Sequence, residues 1–267
     1  MDLREIIMDA IKYPISDNRK FIIFCALVIL MSLSTVLPSY GVNNDTLTLI
    51  LTLVTFLVLF VVLGYCVEVI KGGTEGEDTL PDFDFVKQFV IGIKALILDI
   101  IYFIIPLVIT LIVASASGLF TSFTKIVNSS IGAIDKGANN LTMIMAAIPK
   151  STISTFSNSL TITLVVAIIL FVIFSLMSFT GLVRFAKTGS GTEGLRFREI
   201  IKDMLNIGLI KIIVSLIVIY IIAFALVFII GIIGLIPYIG VFIGLFVGVP
   251  FIILFLYRSI GLVYAEA

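Results

Sequence analysis

"VIGIKALILDIIYFIIPLVITLIVA", residues 90–114, runs for twenty-five residues with only two charged side chains, Lys94 and Asp99. A bilayer core about 30 Å thick is crossed by ~20 apolar residues of α-helix, each rising 1.5 Å. The stretch is long enough to cross and too apolar to face water along its length. Five others share its character: 21–38, 47–69, 160–183, 209–231 and 239–257. Composition agrees. The 267 residues are 60% hydrophobic and 13% charged, against about 25% charged in soluble domains. The fold class that follows is an all-α membrane protein of six transmembrane helices. It reads as one polytopic domain over 1–267, multi-pass in the cell membrane, with the lipid bilayer as its first partner.

Charge orients the spans. Fourteen of the seventeen Lys and Arg fall on the side of the N-terminus, and three, Lys125, Lys136 and Lys150, on the other. Cytoplasmic loops collect these residues, so the expected topology is N-in/C-in. The sequons at Asn44, Asn128 and Asn140 then all fall outside. A formal net charge of zero speaks against a nucleic-acid partner. Histidine is absent, and Cys25 and Cys66 lie inside apolar segments. They read as two buried thiols, and nothing implies a metal or a cofactor.

Before the first span, "DLREIIMDAIK" (2–12) sets Leu3, Ile6, Ile7, Ala10 and Ile11 on one helical face and charges on the other. Residues 1–14 therefore predict an amphipathic helix on the inner membrane surface, ended by Pro14. A partner-binding helix would have the same pattern. Apolar residues recur at near-helical spacing through the outer segment 116–159. That predicts an extracytoplasmic insert of one or two helices, bounded by Gly137 and Pro149.

Two cytoplasmic loops carry the same tripeptide, Thr74-Glu75-Gly76 and Thr192-Glu193-Gly194. Gly64 and Gly181 precede them at similar distances. "FVKQF" (85–89) and "FREII" (197–201) follow as short amphipathic turns, and Lys94 and Lys211 open the next spans. The pattern predicts an internal repeat of two related helical hairpins in one orientation.

Asp99 is the one acid well inside a span, and Tyr102 shares its helical face. A carboxylate there costs ~2.5–3.5 kcal/mol on insertion scales, so it needs water, a partner or a proton. Two readings stand: an ion or proton site, or a side chain hydrogen-bonded to a neighbouring span. Glu68, Lys94, Arg184, Lys211 and Arg258 sit at inner span ends, where long side chains snorkel to headgroups. Glu68 and Arg184 occupy similar places in the two hairpins and are candidates to pair. Gly240, Gly244 and Gly248 place small residues one turn apart, a close-packing surface within the monomer or between monomers. Pro106 and Pro250 are expected to kink spans three and six. The acids from Glu75 to Asp84 lack the spacing of a calcium loop and read as a solvated surface. No catalytic constellation is present.

"YPISDNRK" (13–20), "GYCVEVIKGG" with "TLPDFD" (64–84), "FVIGIKALILDIIYFIIP" (89–106) and the closing "GLVYAEA" resemble the domain-of-unknown-function family 4013. These are polytopic membrane proteins found mainly in archaea. The family often has Trp where Phe83 stands, and the 116–159 insert departs from its pattern. The resemblance implies an architecture and a cell-membrane location, and no activity. The functional expectation is a non-enzymatic scaffold or membrane-embedded partner displaying its cytoplasmic loops to a protein. The alternative is a small transporter or channel for an ion or small solute, centred on Asp99.

Overall fold

The computed structural model describes residues 2–236 and 239–265, with Ile239 and Val241 as backbone only. The last two residues of "GLVYAEA" lie outside the described residues. In chain order the helices are α1 (Leu3–Lys12), α2 (Asn18–Ser39), α3 (Asp45–Glu75), α4 (Phe85–Ala116), α5 (Leu119–Asp135), α6 (Leu141–Ala147), α7 (Lys150–Thr188), α8 (Phe197–Ile207), α9 (Leu209–Gly234), α10 (Ile239–Ile243) and α11 (Val249–Val263). Short 3₁₀ turns occupy Tyr13–Ile15 and Glu193–Leu195, and a π-helical turn occupies Gly244–Gly248. No strand occurs among the described residues. Among the described residues six helices are long and apolar enough to cross a membrane: α2, α3, α4, α7, α9 and the run Gly244–Val263. The sixth lies somewhat later than the 239–257 read from sequence.

Contacts group the chain into two compact units. One holds the residues up to Asp99 together with those from Met177 onward. The other is Ile100–Leu176.

In the first unit α11 is the central helix. Its span is 56% buried, against 22% or less for the other five. It packs on α3, with the glycines meeting backbone to backbone: a Cβ on Gly261 would fall 2.5 Å from the Ile70 carbonyl oxygen. The α3–α4 crossing uses the same device. A Cβ on Gly64 would lie 1.8 Å from the Gln88 oxygen, and one on Gly92 1.8 Å from that of Phe60. Small residues let helices approach this closely, which matters where lipid gives helices no hydrophobic reason to associate.

Gly240, Gly244 and Gly248 pack within the monomer, against α9. Added Cβ atoms would meet the Ile233 oxygen at 2.0 Å, Ile230 Cγ2 at 3.0 Å and Ile230 Cδ1 at 2.4 Å. The π turn in this run has a local cause. Pro250 has no N–H and its ring crowds the carbonyl four residues back. A wider turn, closed by Val249 N–H on the Gly244 oxygen, precedes it.

Helix α1 starts at a capping box of Asp2 and Glu5 and buries Ile6 and Ala10, packing on α11. Its apolar face is thus covered in part by protein. Cys25 and Cys66 are free and buried. The expected repeat takes unlike local forms. Residues 85–89 are the first turns of continuous α4, whereas α8 is a separate helix broken from α9 at Gly208, φ +96°. Gly92, two residues before Lys94 as Gly208 is three before Lys211, is pressed against Phe60 inside an unbroken helix.

The second unit holds the later part of α4, α5, α6 and the earlier part of α7. α4 continues through Pro106 without a break in its helical assignment. Gly118 (φ +80°) and Gly137 (φ +94°) turn the chain, and α7 begins directly after Pro149. Two helices, α5 and α6, fill the predicted insert. Ser159 Oγ donates to the Ser117 oxygen (2.5 Å), and Phe123 and Phe156 lie 6.4 Å apart. The sequon residues Asn44 and Asn140 serve as helix caps, accepting from Leu47 N and Met143 N at 2.9 Å.

Candidate functional site

The loop between α3 and α4 has no secondary structure of its own from Glu77 to Asp84, so its backbone groups need other partners. Side chains supply them, one carbonyl after another. Arg258 Nη1 donates to the Glu77 oxygen (2.7 Å), Tyr13 OH to Thr79 (3.1 Å) and Lys20 Nζ to Leu80 (2.6 Å). Tyr65 OH donates to Pro81 (3.2 Å) and Gln88 Nε2 to Asp82 (2.9 Å). In return Ser16 Oγ accepts from Leu80 N (3.2 Å). Phe83 stacks on Tyr65, centroids 4.4 Å apart and planes at 12°. The loop is clasped by α1's exit, α2, α3, α4 and α11 at once.

Arg258 is the hub. It is 1% exposed. Its guanidinium forms a two-point bridge to Asp9, Nε–Oδ1 2.7 Å and Nη2–Oδ2 3.1 Å, and lies 4.3 Å from the centre of the Tyr13 ring. Burial pushes the Tyr13 hydroxyl up to about 12, partly opposed by the Arg258 charge. A snorkelling Arg258 was expected from sequence; it is instead an interior ion pair. Its partner lies 249 residues away, beyond any local pattern.

Around the clasped backbone is a cavity of about 610 Å³. Six carboxylates line it: Glu68, Glu75, Glu77, Asp78, Asp82 and Asp84. Three ammonium groups answer them: Lys20 with Asp82 (2.9 Å), Lys71 with Glu75 (3.6 Å) and Lys87 with Glu68 (2.6 Å). Six less three leaves a formal charge of −3. Lys20 holds the Asp82 carboxyl below the usual range by its hydrogen bond. No group of three or more metal-type ligands that could hold an ion occurs among the described residues.

The second loop is bonded locally. Arg184 bridges Asp203 (2.5 Å) and Glu193 (3.0 Å), and Arg196 also pairs with Glu193 (2.8 Å). The pairing expected between Glu68 and Arg184 is thus replaced by a bridge inside each hairpin, because an opposite charge nearer in its own hairpin reaches each first, Lys87 for Glu68 and Asp203 with Glu193 for Arg184. Lys94 and Lys211 are exposed. Asp99 is half-buried and accepts from Ser178 Oγ at 2.7 Å. Tyr102 is fully buried and belongs to the other unit. Asp9, Tyr13, Lys20 and Gln88 were not singled out from sequence. Gln88 carried the best available signal, a neutral amide where a span begins; it is fully buried and donates to Glu68 (2.7 Å).

The family described as "Protein of unknown function (DUF4013)" matches residues 47–235. The chain belongs to the DUF4013 family. The match includes the clasped loop and "FVIGIKALILDIIYFIIP", while "YPISDNRK" and "GLVYAEA" lie outside it. Within this DUF4013 chain the flanks complete the site, since Tyr13, Lys20 and Arg258 hold a loop inside the matched region. No curated protein and no solved structure matches the chain.

Proposed function

We propose that this integral membrane protein is a non-enzymatic scaffold. On this reading the clasped acidic loop is a preformed dock for a basic segment of a cytoplasmic protein. The observation that carries the reading is the clasp itself. Five loop carbonyls are fixed by five side chains, while Glu77, Asp78 and Asp84 enter no salt bridge among the described residues. A surface held in its bound shape before binding avoids the ordering cost of a mobile loop. Its excess negative charge selects cationic partners and speeds their approach.

The scaffold reading takes the membrane as the cell membrane and the topology as N-in/C-in, supported by the fourteen-to-three distribution of Lys and Arg. Cysteines at Ser129 and Thr192, with Cys25 and Cys66 replaced, are then labelled by an impermeant thiol reagent from opposite sides. Labelling of both from one side rejects the topology.

Docking is tested with full-length protein in nanodiscs and a fluorescent oligolysine peptide. The wild type binds, more weakly as salt rises, and Glu77→Gln/Asp78→Asn weakens binding about tenfold. Equal binding by both forms rejects the dock. A second reading, a transporter, draws on the hydrogen bond between Asp99 and Ser178. It requires an ion flux in sealed vesicles that Asp99→Asn abolishes, whereas the scaffold has no flux to lose.

A further inference from the structure

Helix α8, "FREIIKDMLNI", carries a broader apolar face than the protein covers. At 100° per residue, Ile207, Ile200, Met204, Phe197, Ile201 and Leu205 fill one continuous arc of about 160°. Ile200, Met204 and Ile207 are buried. Ile201 and Leu205, which complete the arc, are 47% and 61% exposed. At the outer rim of this uncovered half stand Arg198 and Lys202, one turn apart and exposed. Neither enters an ion pair among the described residues. The acids of the same helix are directed elsewhere: Asp203 is held by Arg184 on α7, and Glu199 lies on the polar side.

The helix is also tied to the bilayer by its sequel. Gly208, at φ +96°, ends α8, and spanning helix α9 begins at the next residue. Its first residues, Leu209 and Ile210, are exposed apolar side chains. The uncovered strip of α8 is therefore followed, across Gly208, by exposed apolar residues that open a span.

We propose that α8 is an interfacial helix that reads lipid charge: Ile201 and Leu205 enter the acyl boundary while Arg198 and Lys202 bind the phosphates of anionic headgroups. A helix with a basic rim and an uncovered apolar strip, lying at the end of a span, has the chemistry of such a contact. The site is separate from the acidic loop and does not depend on the docking reading. Opposite charge divides the labour of the two loops, one attracting cations and the other anions.

The chain has no tryptophan, so Leu205→Trp supplies a single tryptophan, excited selectively over the tyrosines, at an exposed position. The full-length variant is placed in bilayers of phosphatidylcholine, with or without phosphatidylglycerol, carrying brominated acyl chains. Quenching is expected to be about twofold or more stronger with phosphatidylglycerol and to fall toward the neutral-lipid value in high salt. Adding Arg198→Gln/Lys202→Gln removes the lipid dependence. Ile201→Trp repeats the measurement should Leu205→Trp fold poorly. Water-like emission without quenching in either bilayer overturns the proposal and leaves the strip to water or a protein. Equal quenching in the two lipids, with Arg198 and Lys202 intact, overturns the reading of charge.

Discussion

The two Thr-Glu-Gly loops share a tripeptide and little else. Gly76 is exposed, in the left-handed cap that ends α3 (φ +74°), with open space where a Cβ would stand. Gly194 is buried in a 3₁₀ turn, where a Cβ would fall 2.3 Å from Leu98 Cδ1 and 2.9 Å from the Gly181 oxygen. One glycine is required by conformation, the other by space. Their loops differ in the same way. The first is held by residues from five separate parts of the chain, the second by bridges to its own flanking helices. Sequence likeness here identifies a composition suited to turns at a membrane face, and the partners decide what each turn becomes.

The largest test of that difference lies in the two arginines. Arg258→Met removes a guanidinium that is 1% exposed, leaves the half-buried Asp9 and the Glu77 carbonyl without it, and is expected to cost on the order of 2–4 kcal/mol. Arg184→Met, whose side chain is 21% exposed, costs only about 1 kcal/mol. Thermal unfolding in nanodiscs compares them, and equal drops would erase the distinction between a long-range and a local loop.

The glycines give the next effect. Gly194→Ala is expected to cost about 1–3 kcal/mol by overpacking, and to cost less when introduced into a Leu98→Ala background, as a double-mutant cycle reads it. Gly76→Ala costs about 1–2 kcal/mol from the left-handed backbone, and Leu98→Ala leaves that unchanged. Rescue of both, or of neither, contradicts the separation of space from conformation.

Alkali probes the clasp alone. Tyr13 titrates near 10 in an unfolded chain and near 12 when folded. Its contribution is full below pH 10 and is lost as pH rises toward 12, because the unfolded state sheds its proton first. Stability of the wild type should therefore fall across that window by on the order of 1–2 kcal/mol more than that of Tyr13→Phe. Parallel pH profiles would mean that the Tyr13 hydroxyl is not held as described.

Smallest is Asp82→Asn. The carboxylate is exposed, so the melting midpoint at neutral pH should not move. A resolvable drop would show that the clasp depends on side-chain charge as well as on carbonyls.

The spans were legible because a bilayer imposes one length and one solvent on each, and "VIGIKALILDIIYFIIPLVITLIVA" meets both requirements alone. Helix ends were less so. α3 runs on to Glu75 and α7 begins at Lys150, since helices extend past the apolar window until a glycine or proline stops them. The periodicity of the insert, with Gly137 and Pro149, pointed to one or two helices, and α5 and α6 lie there. The clasp was not legible. An arginine at the end of a span looks alike whether it reaches headgroups or a buried aspartate, and nothing near Arg258 points to Asp9. Nor does a local pattern distinguish Gly92, sealed inside a helix, from Gly208, which breaks one.

The bridge between Asp9 and Arg258 also sets an order of events during synthesis. Asp9 is made first, and its partner follows 249 residues later. At about 5–20 residues per second the ribosome needs roughly 12–50 s to supply it. Throughout that interval α1 has no α11 to pack on, and the first loop lacks the guanidinium that holds Glu77. The loop can reach its clasped shape only after α11 is in place, so a chain that stalls short of α11 would carry the earlier spans and still present an unclasped acidic loop.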